Sequence, residues 1–217
     1  MGKICNHDTG ERLLVYRGEL RKVKFRGKQL PYADLRGANL RSADFEGANL
    51  EHADFRGASL YHASFKNTNL EDANFGGAYC IYADFQGACL DGTDFSRAEL
   101  SFADFGSADL NNVEFAAADL TRVNFSNVQT NGSDTTLAAW ILCNAAGDDP
   151  DKRSLAGLVL FSGDWCWPDF VALQHPARAW AIEVLGTING YREELIGYGL
   201  LKVEADTVEA ATQVQTQ

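Results

Sequence analysis

The fold class that this sequence predicts is a solenoid, in which short units bury one face by stacking on their neighbours. A bulky apolar residue stands at every fifth position from Leu20 to Phe125, giving 22 positions with eleven Leu, ten Phe and Cys80. A small residue precedes it by two positions, and 15 of the 19 small residues from Ala33 to Val123 are Ala. A period of five fits neither an α-helix nor a β-strand. Short fixed repeats of this kind are typical of solenoids.

The five-residue units have a recognisable motif. They read Ala33-Asp34-Leu35, Ala43-Asp44-Phe45 and Ala103-Asp104-Phe105, each followed by two variable residues. This motif closely resembles the pentapeptide repeat family, and the resemblance covers about half of the chain. It implies a mainly β fold, a right-handed quadrilateral β-helix with four units per coil and about five coils. The central and small residues would face the inside of the coil.

A second period, of 20 residues, supports four sides per coil. Every twentieth residue forms a column, and two opposite columns consist mainly of Phe while the other two consist mainly of Leu. We therefore expect large rings to face each other across the coil. The predicted core includes Phe25, Phe45, Phe65, Phe85, Phe105, Phe125, Leu50, Leu70, Leu90 and Leu110. Lys28 occupies a small position, which predicts an irregular first coil.

The positions of the glycines predict two kinds of corner. Two residues after the mainly Phe columns stand Gly27, Gly37, Gly47, Gly57, Gly77 and Gly87, with Asn67 and Asn127. After the Leu columns only Gly92 is a glycine. Gly and Asn tolerate the positive φ that a type II turn needs. We therefore expect positive φ at alternate corners.

The segments on either side of the repeats read differently. We divide the chain into a hairpin cap (1–17), the β-helix (18–130), a helical capping module (131–204) and a disordered tail (205–217). Helices are predicted from Ser133 or Asp134 to Ala146, from Arg153 to Phe161, from about Ala177 to Ile188, and from Tyr191 to Leu201 with Leu195 and Tyr198 on the packed face. The stretch Trp165-Cys166-Trp167-Pro168 is interpreted as part of the core of this module or, alternatively, as a protruding segment that binds a partner.

Composition and motifs favour a non-enzyme. Five cysteines without zinc-like spacing predict a reducing cytoplasm. The chain has no signal-like run after Met1 and no apolar stretch of 18 residues, so we expect neither export nor a membrane span. No phosphate loop or nucleophile elbow occurs, and His52 and His62 are predicted on opposite sides of a coil. We expect no catalytic residue, metal or cofactor, and we interpret Asp148 to Asp151 as a solvated loop rather than a calcium site.

Function is predicted from the outward positions of the repeats. One side carries Tyr61, Tyr79, Ile81, Tyr82 and Phe102, and contiguous exposed apolar residues mark contacts. This aromatic side predicts a non-catalytic scaffold for protein–protein interaction, whose protein partner is unknown and which is a monomer or weak dimer. The alternative interpretation is that the aromatic residues are ordinary neighbours on a strand face.

The opposite side predicts a different function. It carries the acidic stripe, which consists of Glu51, Glu71, Asp72, Asp91 and Asp109. The family resemblance implies that such a face can mimic DNA and bind DNA gyrase or another DNA-binding protein. Against this alternative, residues 20–130 carry 15 acidic and 11 basic residues, a net charge of −4, while residues 131–217 carry 12 and 5, a net charge of −7.

A basic cluster lies at the start of the repeats. It contains Arg21, Lys22, Lys24, Arg26 and Lys28, with Arg36 and Arg41 nearby. Such a cluster can contact phosphate, but Phe25 is the only aromatic residue among these positions and is predicted to face inward. We therefore interpret the cluster as a solvated rim and do not expect a nucleic acid partner.

Overall fold

The computed structural model describes residues 2–16, 20–130, 138, 141–142, 145–152, 155, 172, 174–186, 188–198 and 200–201. Its strands are β1 (Gly2–Cys5) and β2 (Arg12–Tyr16), and its helices are α1 (Arg178–Leu185) and α2 (Asn189–Gly197). Residues 138, 141–142, 145–146, 150–152, 155 and 172 are also helical. None of the described helices is both long and apolar enough to cross a bilayer.

The repeat region is a β-helix with 20 residues per coil. Parallel bridges join residues 20 apart, from Lys24 and Asp44 to Asp109 and Gln129. The backbone N–H of Leu50 donates to the carbonyl of Asn69 at 2.8 Å, and that of Asn69 donates back to the carbonyl of Ala48 at 3.0 Å. The same two bonds recur from coil to coil. The backbone groups of one coil are thus satisfied by the neighbouring coils.

Phenylalanine rings fill the centre of the β-helix. Along one column, Phe85 stacks on Phe65 and Phe105 with ring centroids 4.9 and 4.8 Å apart. Across the coil it meets Phe75 and Phe95 edge to face, at 5.7 and 5.4 Å. Both geometries are favoured by the ring quadrupole. Buried members of the four columns include Phe25, Phe45, Phe65, Phe85, Phe105, Phe125, Leu50, Leu70, Leu90 and Leu110.

The Asp or Asn before each central residue closes the next corner. Asp84 Oδ1 accepts a hydrogen bond from the N–H of Gln86 at 3.1 Å, and Asn124 Oδ1 accepts one from Ser126 at 3.0 Å. Side chains of Asp and Asn commonly bond to the backbone two residues ahead in this way. The repeated polar position therefore has a structural use that is independent of its charge.

Every corner has the same sign of φ, so the prediction of two alternating kinds of corner was wrong. Fifteen non-glycine residues and seven glycines between Lys22 and Asn127 have φ between 53° and 69°, one at each corner. The N–H of Ala63 donates to the carbonyl of Leu60 at 2.9 Å, as in a type II turn. Left-handed backbone costs an L-residue roughly 1–2 kcal/mol. The packed core and the bonds between coils hold bulky residues there despite that cost.

The first coil is regular from Lys24 onward, so the irregularity predicted from Lys28 was also wrong. Leu30 is buried, Gln29 bridges Asn49, and the carbonyl of Lys28 accepts the N–H of Asn49 at 2.9 Å. The Lys28 side chain itself is exposed. At the end of the rod a lysine at a small position can reach water, whereas in a middle coil it would meet the coils above and below.

An antiparallel hairpin of β1 and β2 lies against one side of the first coil. The carbonyl of Cys5 accepts the N–H of Asp34, and the N–H of His7 donates to the carbonyl of Tyr32, both at 2.8 Å. Ile4 is buried with the β-helix core. These bonds occupy a sheet edge that would otherwise be open. The division of the chain into four domains stays a prediction.

The helical segment around residue 141 ends at a glycine. Ile141 and Leu142 are buried, and Gly147 has a φ of 56°, the left-handed conformation common just after a helix. Asp149 Oδ1 accepts the N–H groups of Asp151 and Lys152 at 3.0 and 3.1 Å. Asp149 thus caps a helix with Pro150 at its first position. Asp148 to Asp151 are all exposed, as the predicted solvated loop requires, but Pro150 and Asp151 belong to a helix, and the prediction is corrected to that extent.

The C-terminal helices pack on the last coil of the β-helix. A cavity of about 280 Å³ is lined by Val123 and Phe125 from that coil and by Ile141, Val184 and Ile188. Helix α1 buries Ala181 and Leu185, and α2 buries Tyr191 and Leu195.

The predicted bounds of the C-terminal helices are corrected in part. Helix α2 begins two residues before Tyr191 and ends at Gly197 instead of Leu201. Tyr198 is 43% exposed, so the predicted place of Tyr198 on the packed face was wrong. Of the helix predicted from Arg153 to Phe161, only Leu155 is described, and it is helical. Trp165-Cys166-Trp167-Pro168 and residues 205–217 lie outside the described residues.

A buried carboxylate predicts how stability depends on pH. Asp54 is 6% exposed, and its carboxylate contacts Arg56 Nη2 at 2.5 Å and Arg36 Nε at 3.6 Å. Burial alone raises the pKa of Asp54, but the hydrogen bonds and charges of the arginines outweigh burial and lower it below 3.8. A lowered folded-state pKa adds stability that is present above the unfolded pKa and lost as the pH falls through the folded one.

We therefore expect the free energy of unfolding to fall below about pH 4, the ordinary range of an aspartate. Urea unfolding between pH 7 and 2.5 measures this. Asp54→Asn keeps the corner bond, as Asn74 does one coil later, but removes the titrating charge. The variant should show a smaller loss in acid than the parent. An identical loss in both proteins would contradict the assignment.

Candidate functional site

The aromatic side contains a ladder of stacked rings on three successive coils. His62 and Tyr82 have ring centroids 4.9 Å apart and planes 7° apart, and Tyr82 and Phe102 are 4.8 Å and 17° apart. Tyr82 is 47% exposed and Phe102 39%. The rings stack because positions 20 residues apart lie one above another on adjacent coils.

The other predicted members of the aromatic side differ in exposure. Tyr79 is 43% exposed, whereas Tyr61 and Ile81 are half-buried. The guanidinium of Arg41 lies over the Tyr61 ring at 4.4 Å, and that of Arg122 lies 5.4 Å from the Phe102 centroid. Arginines thus lie against both ends of the aromatic side, and the three strongly exposed aromatic residues lie between them.

Stacking in the ring ladder offsets part of the backbone strain at its corners. His62, Tyr82 and Phe102 all lie at corners, with φ of 55°, 59° and 62°. Left-handed backbone costs roughly 1–2 kcal/mol for each such residue. A stacked aromatic pair contributes about 0.5–1.5 kcal/mol, and the ladder contains two pairs. Stacking therefore offsets only part of the strain, and the packed core and the bonds between coils hold these corners as they hold the others.

Two carboxylates that the sequence analysis missed belong to the same side. Glu99 bridges Tyr79 on one neighbouring coil and Asp119 on the other. Both acids are exposed. Ser101 Oγ donates to Asp119 Oδ2 at 2.5 Å. Because Ser101 directly precedes Phe102, this bond links Asp119 to the corner that carries the Phe102 ring. Hydrogen bonds from Ser101 and Thr121 lower the pKa of Asp119. Their 20-residue spacing from Tyr79 could have shown from the sequence that both acids share a column with that residue.

The predicted acidic stripe is partly engaged within the fold. Glu71 and Asp72 are exposed, whereas Glu51, Asp91 and Asp109 are half-buried. Asp109 Oδ1 accepts the N–H of Asn111 at 3.2 Å, and Asp91 Oδ1 accepts Asn112 Nδ2 at 2.8 Å. The ring nitrogens of His52 lie 3.6 Å from Glu51 and 3.7 Å from Asp72.

The basic cluster is neutralised only in part. Arg26 pairs with Asp44 at 2.8 Å and also with Glu46. Arg36 pairs with Asp34 at 2.8 Å. The remaining first-coil members, Arg21, Lys22, Lys24 and Lys28, are exposed. Charged side chains, especially lysine, protect an open sheet edge against pairing with other chains, which explains this cluster without a ligand.

The described cysteines and histidines do not assemble a reactive group. Burial raises the pKa of the Cys80 thiol and is also the largest cause that raises the pKa of Cys89. Both side chains are therefore thiols rather than thiolates at neutral pH. The His52 ring stacks on Tyr32, while that of His62 stacks on Tyr82. Within the described ranges, no group of three His, Cys, Asp or Glu side chains is placed to hold a metal ion.

The repeat motif matches known family models. Residues 19–57 match a model described as pentapeptide repeats (8 copies), and residues 58–135 match one described as a pentapeptide repeat region. The two matches together span more than half of the 217-residue chain. No curated protein matches the chain significantly.

Several solved structures are similar to about half of the chain. Rfr23 from the cyanobacterium Cyanothece 51142 is 22% identical, with 48% of this chain and 84% of that chain covered and a TM-score of 0.45. HetL from Nostoc sp. strain PCC 7120, involved in heterocyst differentiation regulation, is 26% identical, with 52% and 64% covered and a TM-score of 0.31. A trypsin-treated form of QnrB1, a plasmid-mediated fluoroquinolone resistance protein, is 22% identical, with 54% and 67% covered and a TM-score of 0.29. The family assignment rests on the sequence matches.

Proposed function

The chain belongs to the pentapeptide repeat family, and we propose that it is a non-catalytic scaffold whose aromatic side binds a protein partner. Members of this family adopt a right-handed β-helix. We also propose that the repeats form a closed, four-sided rod of about five coils. Such a rod presents side chains from fixed backbone positions, so little conformational freedom is lost on binding.

One observation supports the proposal above the others: Tyr79, Tyr82 and Phe102 are exposed together on adjacent coils. They are 43%, 47% and 39% exposed. Aromatic side chains clustered on one surface are frequent carriers of binding energy at protein interfaces.

Charge density argues against the DNA-mimic alternative. Stacked strands lie about 4.8 Å apart, so the repeats form a rod on the order of 26 Å long. B-DNA carries one negative charge per 1.7 Å, or roughly 15 charges over that length. Residues 20–130 have a net charge of −4.

The proposal is tested by changing one side of the rod at a time. Tyr82→Ser with Phe102→Ser should reduce capture of the partner by more than about tenfold, the loss typical of an interface hot spot. The variant should still fold, because it loses only the two stacked pairs, about 0.5–1.5 kcal/mol each, and leaves the buried columns intact; its melting temperature checks this. The control combines Glu51→Gln, Glu71→Gln and Asp91→Asn on the opposite side and should capture the partner normally. Quantitative mass spectrometry of proteins retained from a cell extract measures the difference between variants.

Other outcomes point elsewhere. If the acid changes abolish capture and the aromatic changes do not, the scaffold proposal fails and the DNA-mimic alternative gains support. A supercoiling assay with purified DNA gyrase then tests that alternative directly. If neither set matters, the binding surface lies off the rod, and the sequence around Trp165 and Trp167 is the next candidate.

A further inference from the structure

We infer that the partner segment bound by the aromatic side presents an arginine to Tyr79, Glu99 and Asp119. This inference rests on the proposed function and names the chemistry of the partner. Tyr79, Glu99 and Asp119 occupy one outward column on three successive coils, joined by parallel bridges. An exposed ring beside two carboxylates suits a guanidinium, which stacks on aromatic faces and binds carboxylates through two donors.

The Tyr79 ring is 43% exposed and differs from Tyr82 in its neighbours. Tyr82 is stacked on both faces, by His62 and by Phe102, so only its edges are exposed. Tyr79 has Ser59 and Glu99 as its column neighbours, and neither carries a ring. Within the described part of the chain, no ring or cation stacks on Tyr79. Because cations are attracted to the ring face rather than the edge, Tyr79 is the ring that a partner cation can use.

The aromatic side already binds guanidinium groups from the chain itself. Arg41 lies over Tyr61 at 4.4 Å, and Arg122 lies 5.4 Å from the centre of Phe102. Both distances are within the roughly 6 Å range of a cation–π interaction. Tyr79 lies between these two contacts along the rod and lacks a partner of this kind in the described structure.

Charge supports the same assignment. Glu99 and Asp119 lie on adjacent coils, about 4.8 Å apart along the rod, and like charges in that position repel. Some acids of the repeats are paired within the chain: Arg56 pairs with Asp54, and Lys66 pairs with Asp84 at 2.9 Å. No described lysine or arginine forms an ion pair with Glu99 or Asp119. A partner arginine would supply the missing cation, and the chain's net charge of −11 would favour its approach.

The inference is tested with two short peptides on the full chain. The probe is acetyl-Ser-Arg-Phe-Arg-Ser-amide, and its control has citrulline, which is similar in shape but uncharged, in place of both arginines. Backbone amide shifts in a ¹⁵N-labelled protein report where each peptide binds. We expect saturable shifts around Tyr79, Glu99 and Asp119 with the arginine peptide, and about tenfold weaker binding with citrulline, because charge-assisted bonds are the stronger ones.

Matched variants separate the carboxylates from the fold. Glu99→Gln with Asp119→Asn removes both charges, and the asparagine can keep the corner bond to Thr121, as Asn124 does for Ser126. Arginine-peptide binding should then fall to the citrulline level. Glu71→Gln with Asp72→Asn removes two exposed charges from the opposite side and should leave peptide binding unchanged.

The outcomes distinguish this inference from the proposed function. If both peptides bind equally at Tyr82 and Phe102, the arginine inference is overturned while the scaffold proposal stands. If neither peptide shifts this side, the arginine inference is overturned as well. The scaffold proposal fails only if partner capture survives Tyr82→Ser with Phe102→Ser, which is a separate measurement.

Discussion

Phe85→Ala should lower the free energy of unfolding by about 3–5 kcal/mol, the range found when a buried Phe is truncated to Ala. Phe85 is 0% exposed. It contacts four other rings, with centroid distances between 4.8 and 5.7 Å. The coils above and below are held by backbone bonds, so the structure cannot collapse fully into the space left by the ring. Urea unfolding followed by circular dichroism measures the loss.

Phe102→Ala is the matched control for this measurement. Phe102 is the same residue type in a neighbouring coil, but it is 39% exposed and lies at a corner. Its truncation removes one stacked pair with Tyr82, worth about 0.5–1.5 kcal/mol, and leaves no internal cavity. Equal losses at positions 85 and 102 would contradict the assignment of inward and outward residues.

The five-residue period was enough to predict a solenoid, and the resemblance to the pentapeptide repeat family implied the β-helix with its inward-facing columns. Each coil repeats the same environment, so every inward-facing central position carries a bulky apolar residue, as positions 45 and 50 do with Phe45 and Leu50. The 20-residue column pattern also predicted that rings meet across the coil, as Phe45 and Phe55 do at 5.8 Å. Repetition makes such predictions strong because one error of register would expose every apolar residue at once.

The corners show where local sequence preference fails. Glycine is one way to permit positive φ, but it is not required, since Lys22 and Tyr82 adopt φ of 57° and 59°. The N–H of Tyr82 donates to the carbonyl of Ser101 at 3.1 Å, and the adjacent Cys80 is fully buried. Tertiary contacts therefore set the backbone angle. The same limit applies to α2, whose bounds depend on packing as well as periodicity.

The candidate site was predicted from the sequence only in part. Aromatic residues at outward positions could be found, because outward positions follow from the repeat. Their relative exposure could not, since the Tyr61 ring is covered by Arg41 from the preceding coil. The carboxylates of Glu99 and Asp119 were missed because net charge was compared between the repeats and the C-terminal region rather than followed along the column of Tyr79.

A chain ending at Val128 should aggregate or oligomerise. Val123 and Phe125 are only 6% and 7% exposed in the full chain, and Ile141, Val184 and Ile188 line the same cavity. Removing the C-terminal helices therefore uncovers apolar surface of the last coil. It also leaves N–H groups at an open sheet edge, which is a template for pairing with another chain. Size-exclusion chromatography with light scattering measures the assembly state.

A single substitution tests the same contact without shortening the chain. Ile188 is 1% exposed, so Ile188→Asp places a carboxylate in the apolar contact between the helices and the last coil. Burial of an unpaired polar group costs at least about 2 kcal/mol, so the variant should melt earlier and bind more of a hydrophobic dye. Tyr198→Asp, at an exposed residue just after α2, should do neither. If Ile188→Asp and the chain ending at Val128 both remained monomeric with unchanged melting, the helices would be an independent domain. The last coil would then be stable without a cover.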